Sequence, residues 1–183
     1  MSKLCMLLAV LSAVFPLAFI ALAVTLSGWF NIYNNALSDL GHSTRSNVAS
    51  IFNFGLSVGG FMVATVGEIC ALKGSKPIGV TLLFTGFCLV LIAVFDEVYG
   101  RLHFYVSVAF FLSIAILLLE YTIVQRSLTR RLLSLSALII AVLSWVSHLI
   151  YGIPRGAAIP ELVSIVASLP FYFDYIRCSD TSR

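Results

Sequence analysis

Six apolar stretches, each long enough to cross a membrane, constrain this chain more than any other feature. They cover residues 4–26, 50–72, 77–98, 103–125, 132–151 and 157–176. About 20 apolar residues of α-helix span a bilayer core, so each stretch is predicted to form one transmembrane helix. Because backbone groups in lipid must hydrogen-bond within the protein, the expected fold is all-α. We predict a single domain over residues 1–183, a polytopic bundle of six transmembrane helices.

The composition agrees with a chain whose solvent is mostly lipid. Of its 183 residues, 60% are hydrophobic and 10% are charged, whereas a soluble domain has about 25% charged residues. The net charge of +3 is too small to indicate a nucleic-acid partner, so membrane lipids are the expected partners. The apolar run after Lys3 is longer than the roughly 7–15 residues of a signal-peptide core, which favours a retained helix.

The basic residues predict the orientation. Eight of the eleven Lys and Arg residues fall on the side of the two chain ends. Positive charge is enriched in cytoplasmic loops, so both termini are expected in the cytoplasm, with the protein in the cell membrane. The four cysteines avoid the predicted outer loops and form no CxxC motif, so we predict no disulfide and four small packing side chains. They are Cys5, Cys70, Cys88 and Cys178.

Polar residues concentrate on the predicted outer side, and the first loop holds the densest group. It includes Ser38, Asp39 and His42. Such residues commonly form turns and helix caps. A polar group of this density beside a membrane surface also suits a binding or catalytic site, and both interpretations stay open.

The same loop carries a family resemblance. The run NALSDLGH, with Ser38 to Gly41, and the run IFNFGLSVGG, with Asn53, Gly55 and Leu56, resemble the domain of unknown function 998 family. The resemblance implies a multi-span membrane protein and supplies no established activity. The Ser-Asp-x-Gly element is more distantly similar to the group that contains the damage-regulated autophagy modulators.

Two further outer clusters supply candidate site residues. The segment FDEVYGRLH contains Asp96, Arg101 and His103, where the histidine could be a metal ligand, a general base, an ion-pair partner or a polar cap. The segment SHLIYGIPRGAAIPE contains His148, Arg155 and Glu161. Arg155 is a candidate for binding a lipid phosphate or pairing with a carboxylate, and Glu161 would be stabilised at a helix start.

Two functions follow as hypotheses. The first is a protein that binds or handles a lipid or small amphiphile at a polar site on the extracytoplasmic face. The second is a zinc- or His-dependent membrane hydrolase or acyltransferase acting on a lipid ester or amide. The second resembles the scheme of alkaline ceramidases, but those have seven spans and a paired His-x-x-x-His that this chain lacks.

The candidate residues differ between the two hypotheses. Ligand-binding candidates are Ser38, Asp39, Arg101, Arg155 and Glu161. Catalytic candidates are Asp39, His42, Asp96, His103 and His148. Candidate zinc ligands are His42, His103, His148 and Asp96.

Overall fold

A computed structural model describes residues 2–181, which form six long helices and no strand. The helices are α1 (Ser2–Ser27), α2 (Ala49–Val66), α3 (Lys76–Val94), α4 (Arg101–Val124), α5 (Leu128–Tyr151) and α6 (Ala158–Thr181). Within the described residues, all six are long and apolar enough to cross a membrane. The predicted six-helix class is therefore confirmed, whereas the orientation of the termini stays a prediction.

Local sequence signals set the helix ends. Pro77 lies in the first turn of α3, where its missing N–H costs no hydrogen bond. Gly152 ends α5 in the left-handed conformation, at a φ of 65°. Three predicted boundaries differ by four or five residues: α3 ends at Val94 rather than Val98, α5 begins at Leu128 rather than residue 132, and α6 ends at Thr181 rather than residue 176. α3 ends early because the next residues form a short 3-10 turn, Glu97–Tyr99.

Two clusters of buried apolar side chains lie at opposite ends of the bundle. One, at what we call the terminus end, joins the first residues of α1 to the last part of α6, as in Cys5 and Ile176. The other lies at what we call the loop end, and it includes Leu37 and Leu40 of a 3-10 helix in the first loop. This 3-10 helix, Leu37–Gly41, is called the loop helix below.

The cysteine prediction was wrong for one pair. Cys5 of α1 and Cys70 form a disulfide at the terminus end, with their Cα atoms 5.9 Å apart. Cys70 lies in a π-helical turn, Gly67–Ala71, that extends α2. The two residues are 65 positions apart in the chain, so spacing alone did not indicate that the packing of α1 against α2 would bring them together. Cys88 is free and buried, as expected of a packing residue.

Candidate functional site

The loop helix is held in shape by Asp39. One oxygen of its carboxylate accepts hydrogen bonds from the backbone N–H of Ala36 and from the Asn35 amide, both at 2.9 Å. Short polar side chains typically cap local backbone in this way. The cap interpretation therefore describes the main contacts of Asp39, and it leaves the neighbouring Leu37 and Ser38 turned towards other helices.

Those neighbours connect the loop helix to two glutamates. The backbone N–H of Leu37 donates to Glu161 Oε2 at 2.6 Å, and the Ser38 hydroxyl donates to Glu97 Oε1 at 2.6 Å. Glu161 lies in the first turn of α6, and Glu97 opens the turn between α3 and α4. The run Leu37 to Asp39 thus brings together carboxyl groups from three separate parts of the sequence, those of Asp39, Glu97 and Glu161.

Gly41 allows the loop helix to lie close against α2. The Asn53 side-chain amide donates to the Gly41 carbonyl oxygen at 2.9 Å. A Cβ atom at position 41 would lie 2.5 Å from Asn53 Oδ1 and 2.8 Å from the Phe52 ring. A larger residue at position 41 would displace Asn53 or Phe52, so this contact favours glycine.

The carboxyl group of Glu97 has a perturbed pKa. Burial raises the pKa of its carboxyl to about 7, the hydrogen bond from Ser38 lowers it, and the neighbouring Asp39 and Asp96 raise it. Glu97 therefore exchanges its proton near neutral pH. Asp96 itself accepts a hydrogen bond from the Val98 N–H at 2.8 Å and caps the 3-10 turn.

Two histidines at the loop end make the same kind of hydrogen bond. His103 Nδ1 donates to the Phe95 carbonyl oxygen at 2.7 Å, and His148 Nδ1 donates to the Pro154 carbonyl oxygen at 2.8 Å. A carbonyl oxygen can only accept, so each neutral ring carries its proton on Nδ1. The Nε2 atom of each ring is consequently an acceptor.

These groups border one cavity of about 510 Å³ between α4, α5 and α6. Its walls are mostly apolar, as in Phe111 of α4 and Ala141 of α5. Its polar lining comes mainly from the loop end, and it comprises Ser38, Glu97, His103, Ser107, His148, Glu161 and Ser164. Binding sites for small ligands have this volume and this combination of apolar wall and few polar groups.

The structure brings only some of the predicted residues to this cavity. Four of the sequence candidates line it: Ser38, His103, His148 and Glu161. Asp39 and Asp96 lie next to Glu97, outside the lining. Arg101 and Arg155 are exposed, and His42 contacts Thr44 in the first loop. The lining of the cavity contains no lysine or arginine from any described position.

The sequence-based candidates did not include Glu97 or Trp145, both of which line the cavity. Glu97 is the neighbour of the candidate Asp96, and Trp145 precedes the candidate His148 on α5. Trp145 packs beside His148, with ring centroids 6.1 Å apart. Their spacing of three residues, which places both on one face of α5, was the available signal.

A zinc site does not fit this geometry. Among the side chains described at residues 3–178, no group of three or more His, Cys, Asp or Glu is placed to hold a metal ion. The predicted set of His42, His103, His148 and Asp96 is therefore not brought to one point.

The fold and the cavity define a class: a multi-span membrane protein whose helices enclose an amphipathic pocket. The chain belongs to the family described as protein of unknown function (DUF998), whose model matches residues 9–173. The resemblance stated from the first loop is thereby confirmed, and the match includes the loop helix and the whole cavity. Comparison with curated proteins and with solved structures gives no match.

Proposed function

We propose that this protein binds a single-chain amphiphile in the cavity between α4, α5 and α6. The observation that carries the proposal is the cavity itself, which is large, apolar along its walls and polar at the loop end. A hydrocarbon tail would replace lipid contacts along the walls, and a polar head would meet Glu97, Glu161 and the two histidines. This is the first of the two hypotheses from the sequence, now assigned to particular residues.

The exposure of the lining residues supports entry from the lipid phase. Phe104 and Leu112 of α4 and Leu149 of α5 all line the cavity, and they are 59%, 58% and 69% exposed. The mouth of the cavity therefore lies between α4 and α5 on the lipid-facing surface. α5 packs mainly against α4 and α6, so its displacement would widen this mouth without disturbing the packing of α1 to α3.

The orientation of the site rests on the charge distribution. The loop end lies opposite the terminus end, on whose side seven of the ten basic residues in the described range 3–178 are found. The positive-inside tendency then supports an extracytoplasmic position for the polar end of the cavity. The proposed ligand would accordingly be taken from the outer leaflet.

Trp145 provides a direct test of binding. The sequence contains two tryptophans, so the Trp29→Phe variant keeps Trp145 alone. Trp145 lines the cavity. The protein would be placed in nanodiscs of digalactosyldiacylglycerol, a lipid without net charge, and titrated with bromine-labelled dodecanol. We expect saturable quenching of Trp145 fluorescence.

A pair of matched variants distinguishes the cavity from the general lipid surface. Ala141→Leu fills the cavity, whereas Ala137→Leu adds the same group one helical turn away, at an equally buried position outside the lining. We expect Ala141→Leu to weaken saturable quenching at least tenfold and Ala137→Leu to leave it within about twofold, both being monodisperse by gel filtration. Quenching that is unsaturable, or equal in the two variants, would overturn the proposal.

A further inference from the structure

The hydrogen-bond donors that border the cavity are already used inside the protein. Trp145 Nε1 donates to Ser164 Oγ at 3.0 Å, and Ser164 donates to the Pro160 carbonyl oxygen at 2.8 Å. The Ser38 hydroxyl donates to Glu97. Both histidine Nδ1 groups are bound to carbonyl oxygens, as described above. A ligand head that needs donors from the protein, such as a phosphate or a carboxylate, finds few here.

Acceptors, in contrast, remain available at the same end. Glu161 exposes only 7% of its surface, and among the side chains described at residues 3–178 only its Oε2 atom takes part in a hydrogen bond. The second oxygen, Oε1, is therefore open to a ligand. His148 Nε2 is a second acceptor, and His103 Nε2 has only a long contact of 3.4 Å with Ser107.

The charge and the aromatic rings of the lining favour the same kind of head. Glu97 and Glu161 contribute carboxyl groups, and none of the described lining residues is a Lys or Arg that would neutralise them. Trp145 and Phe111 line the cavity with their ring centroids 4.9 Å apart. The face of a tryptophan attracts an organic cation, most strongly where water is excluded.

From these three features we infer that the polar end of the cavity selects a positively charged head, an ammonium or alkylated ammonium group on a single hydrocarbon chain. The inference rests on the proposed function and specifies its ligand class. Glu161 and Glu97 would supply the opposite charge, the histidine Nε2 atoms would accept hydrogen bonds from an unmethylated ammonium, and Trp145 would contact its alkyl groups. In this assignment Arg155, the sequence candidate for binding a lipid phosphate, takes no part in holding the head.

The acidity of Glu97 predicts how such binding depends on pH. Its pKa of about 7 means that the negative charge of Glu97 develops between about pH 6 and pH 8. The groups facing Glu97 are Asp39 of the loop helix, Asp96 beside it and Glu161 of α6. His103 and His148 border the same space. Affinity for a permanent cation should therefore rise with pH.

The test compares heads of different charge on one chain length. Dodecyltrimethylammonium, dodecanol and dodecyl phosphate would compete with bromine-labelled dodecanol for the Trp29→Phe protein in the same nanodiscs. We expect the cation to bind at least tenfold more tightly than dodecanol, and dodecyl phosphate to bind more weakly than dodecanol. Between about pH 6 and pH 8, the affinity for the cation should rise severalfold while that for dodecanol stays constant.

Variants assign the effect to the cavity carboxyls. Glu161→Gln keeps an acceptor for the Leu37 N–H, and we expect it to reduce the preference for the cation at least fivefold with dodecanol binding unchanged. Glu97→Gln should flatten the pH dependence. Glu68→Gln removes an exposed carboxylate near the terminus end and should change neither quantity. Saturable dodecanol binding without cation preference would overturn this inference alone, whereas failure of every probe to bind would overturn the proposed function.

Discussion

At the scale of single residues, Glu97 connects the first loop to the cavity. Its carboxyl accepts a hydrogen bond from Ser38 and lies beside Asp39, so the Ser-Asp pair of the motif controls its acidity from two directions. The hydrogen bond stabilises the charged form, and the neighbouring carboxylate destabilises it. The burial of the Glu97 carboxyl has the largest effect on its pKa, which is raised to about 7.

Replacing Ser38 with Ala should raise the pKa of Glu97 further, because the hydrogen bond that favours its ionised form is lost. Infrared difference spectra across pH would show the carboxyl band of Glu97 titrating near pH 7 in the parent protein and at a higher pH in Ser38→Ala. The band should disappear in Glu97→Gln. Ser43→Ala, an exposed serine of the same loop, is the matched control. A midpoint near the ordinary value of 4.5 in the parent protein would contradict the assignment.

The same shift predicts a change in stability with pH. The pKa of Glu97 is raised in the folded state, so the folded protein binds this proton more tightly than the unfolded chain does. The stabilisation is complete below about pH 4.5 and is lost as pH rises through about 7. Relative to Glu97→Gln, the parent protein should therefore melt at a progressively lower temperature from pH 5 to pH 8. Parallel melting curves across this range would refute the prediction.

At the scale of helices, glycine determines how closely α2 and α3 approach. A Cβ atom on Gly86 would meet the backbone N of Ala64 and the carbonyl oxygen of Gly60, and it would lie 2.9 Å from the Ala64 Cβ. Backbone atoms cannot rotate away as a side chain can. Small residues commonly serve this purpose between membrane helices, where close packing replaces the hydrophobic effect as the source of association.

Gly86→Ala should consequently lower the free energy of unfolding by about 1–3 kcal/mol, the usual result of overpacking. The control is Val80→Ala on the same helix, where the side chain is 56% exposed and a change within about 0.5 kcal/mol is expected. Unfolding in mixed micelles with increasing dodecyl sulfate, followed by circular dichroism, measures both. Equal stability of the two variants would show that α2 and α3 can move apart at Gly86 without loss of stability.

The disulfide is the second constraint between helices. Cys5 and Cys70 join the start of α1 to the extension of α2, and such bonds stabilise proteins by about 2–4 kcal/mol. Reductant should lower the melting temperature of the parent protein but leave the Cys5→Ala/Cys70→Ala variant unchanged. Peptide mapping without reductant should recover the two linked segments. Two free thiols at these positions in unreduced protein would show that the bond does not form.

The sequence predicted the helices well and their lateral contacts poorly, for a physical reason. Each span is dictated by the bilayer, so about 20 consecutive residues are enough to recognise it. The contact of Leu37 with Glu161 joins residues 124 positions apart, and it depends on how α6 packs against the first loop. The cavity likewise arises between three helices, none of which indicates it alone. The first-loop motif was recognisable because Ser38, Asp39 and Gly41 act within a few residues of one another.

At the scale of the whole molecule, the two ends of the bundle differ in chemistry. The loop end contains the acidic and histidine groups of the cavity. The terminus end contains the disulfide and the salt bridge between Arg130 and Asp174, at 3.1 Å, the one ion pair found among the side chains described at residues 3–178. This asymmetry makes orientation decisive for function, because it determines which leaflet the cavity faces.

Labelling of single introduced cysteines measures the orientation directly. Ser43→Cys lies on the exposed first loop at the loop end, and Ser127→Cys lies on the exposed link between α4 and α5 at the terminus end. If the positive-inside tendency holds, a membrane-impermeant maleimide applied to intact cells should label Ser43→Cys, and it should label Ser127→Cys only after permeabilisation. The parent protein, whose cysteines outside the Cys5–Cys70 bond are Cys88 and Cys178, gives the background.

The expected result would place the Cys5–Cys70 bond at the cytoplasmic end, where thiols are usually kept reduced. The burial of both residues, at 8% and 5% exposure, would then protect the bond from soluble reductants. The opposite labelling would place the disulfide on the oxidising side and turn the cavity towards the cytoplasm. In that case the amphiphile would have to come from the inner leaflet. The proposal of an extracytoplasmic site would then be wrong, even if the cation preference were confirmed.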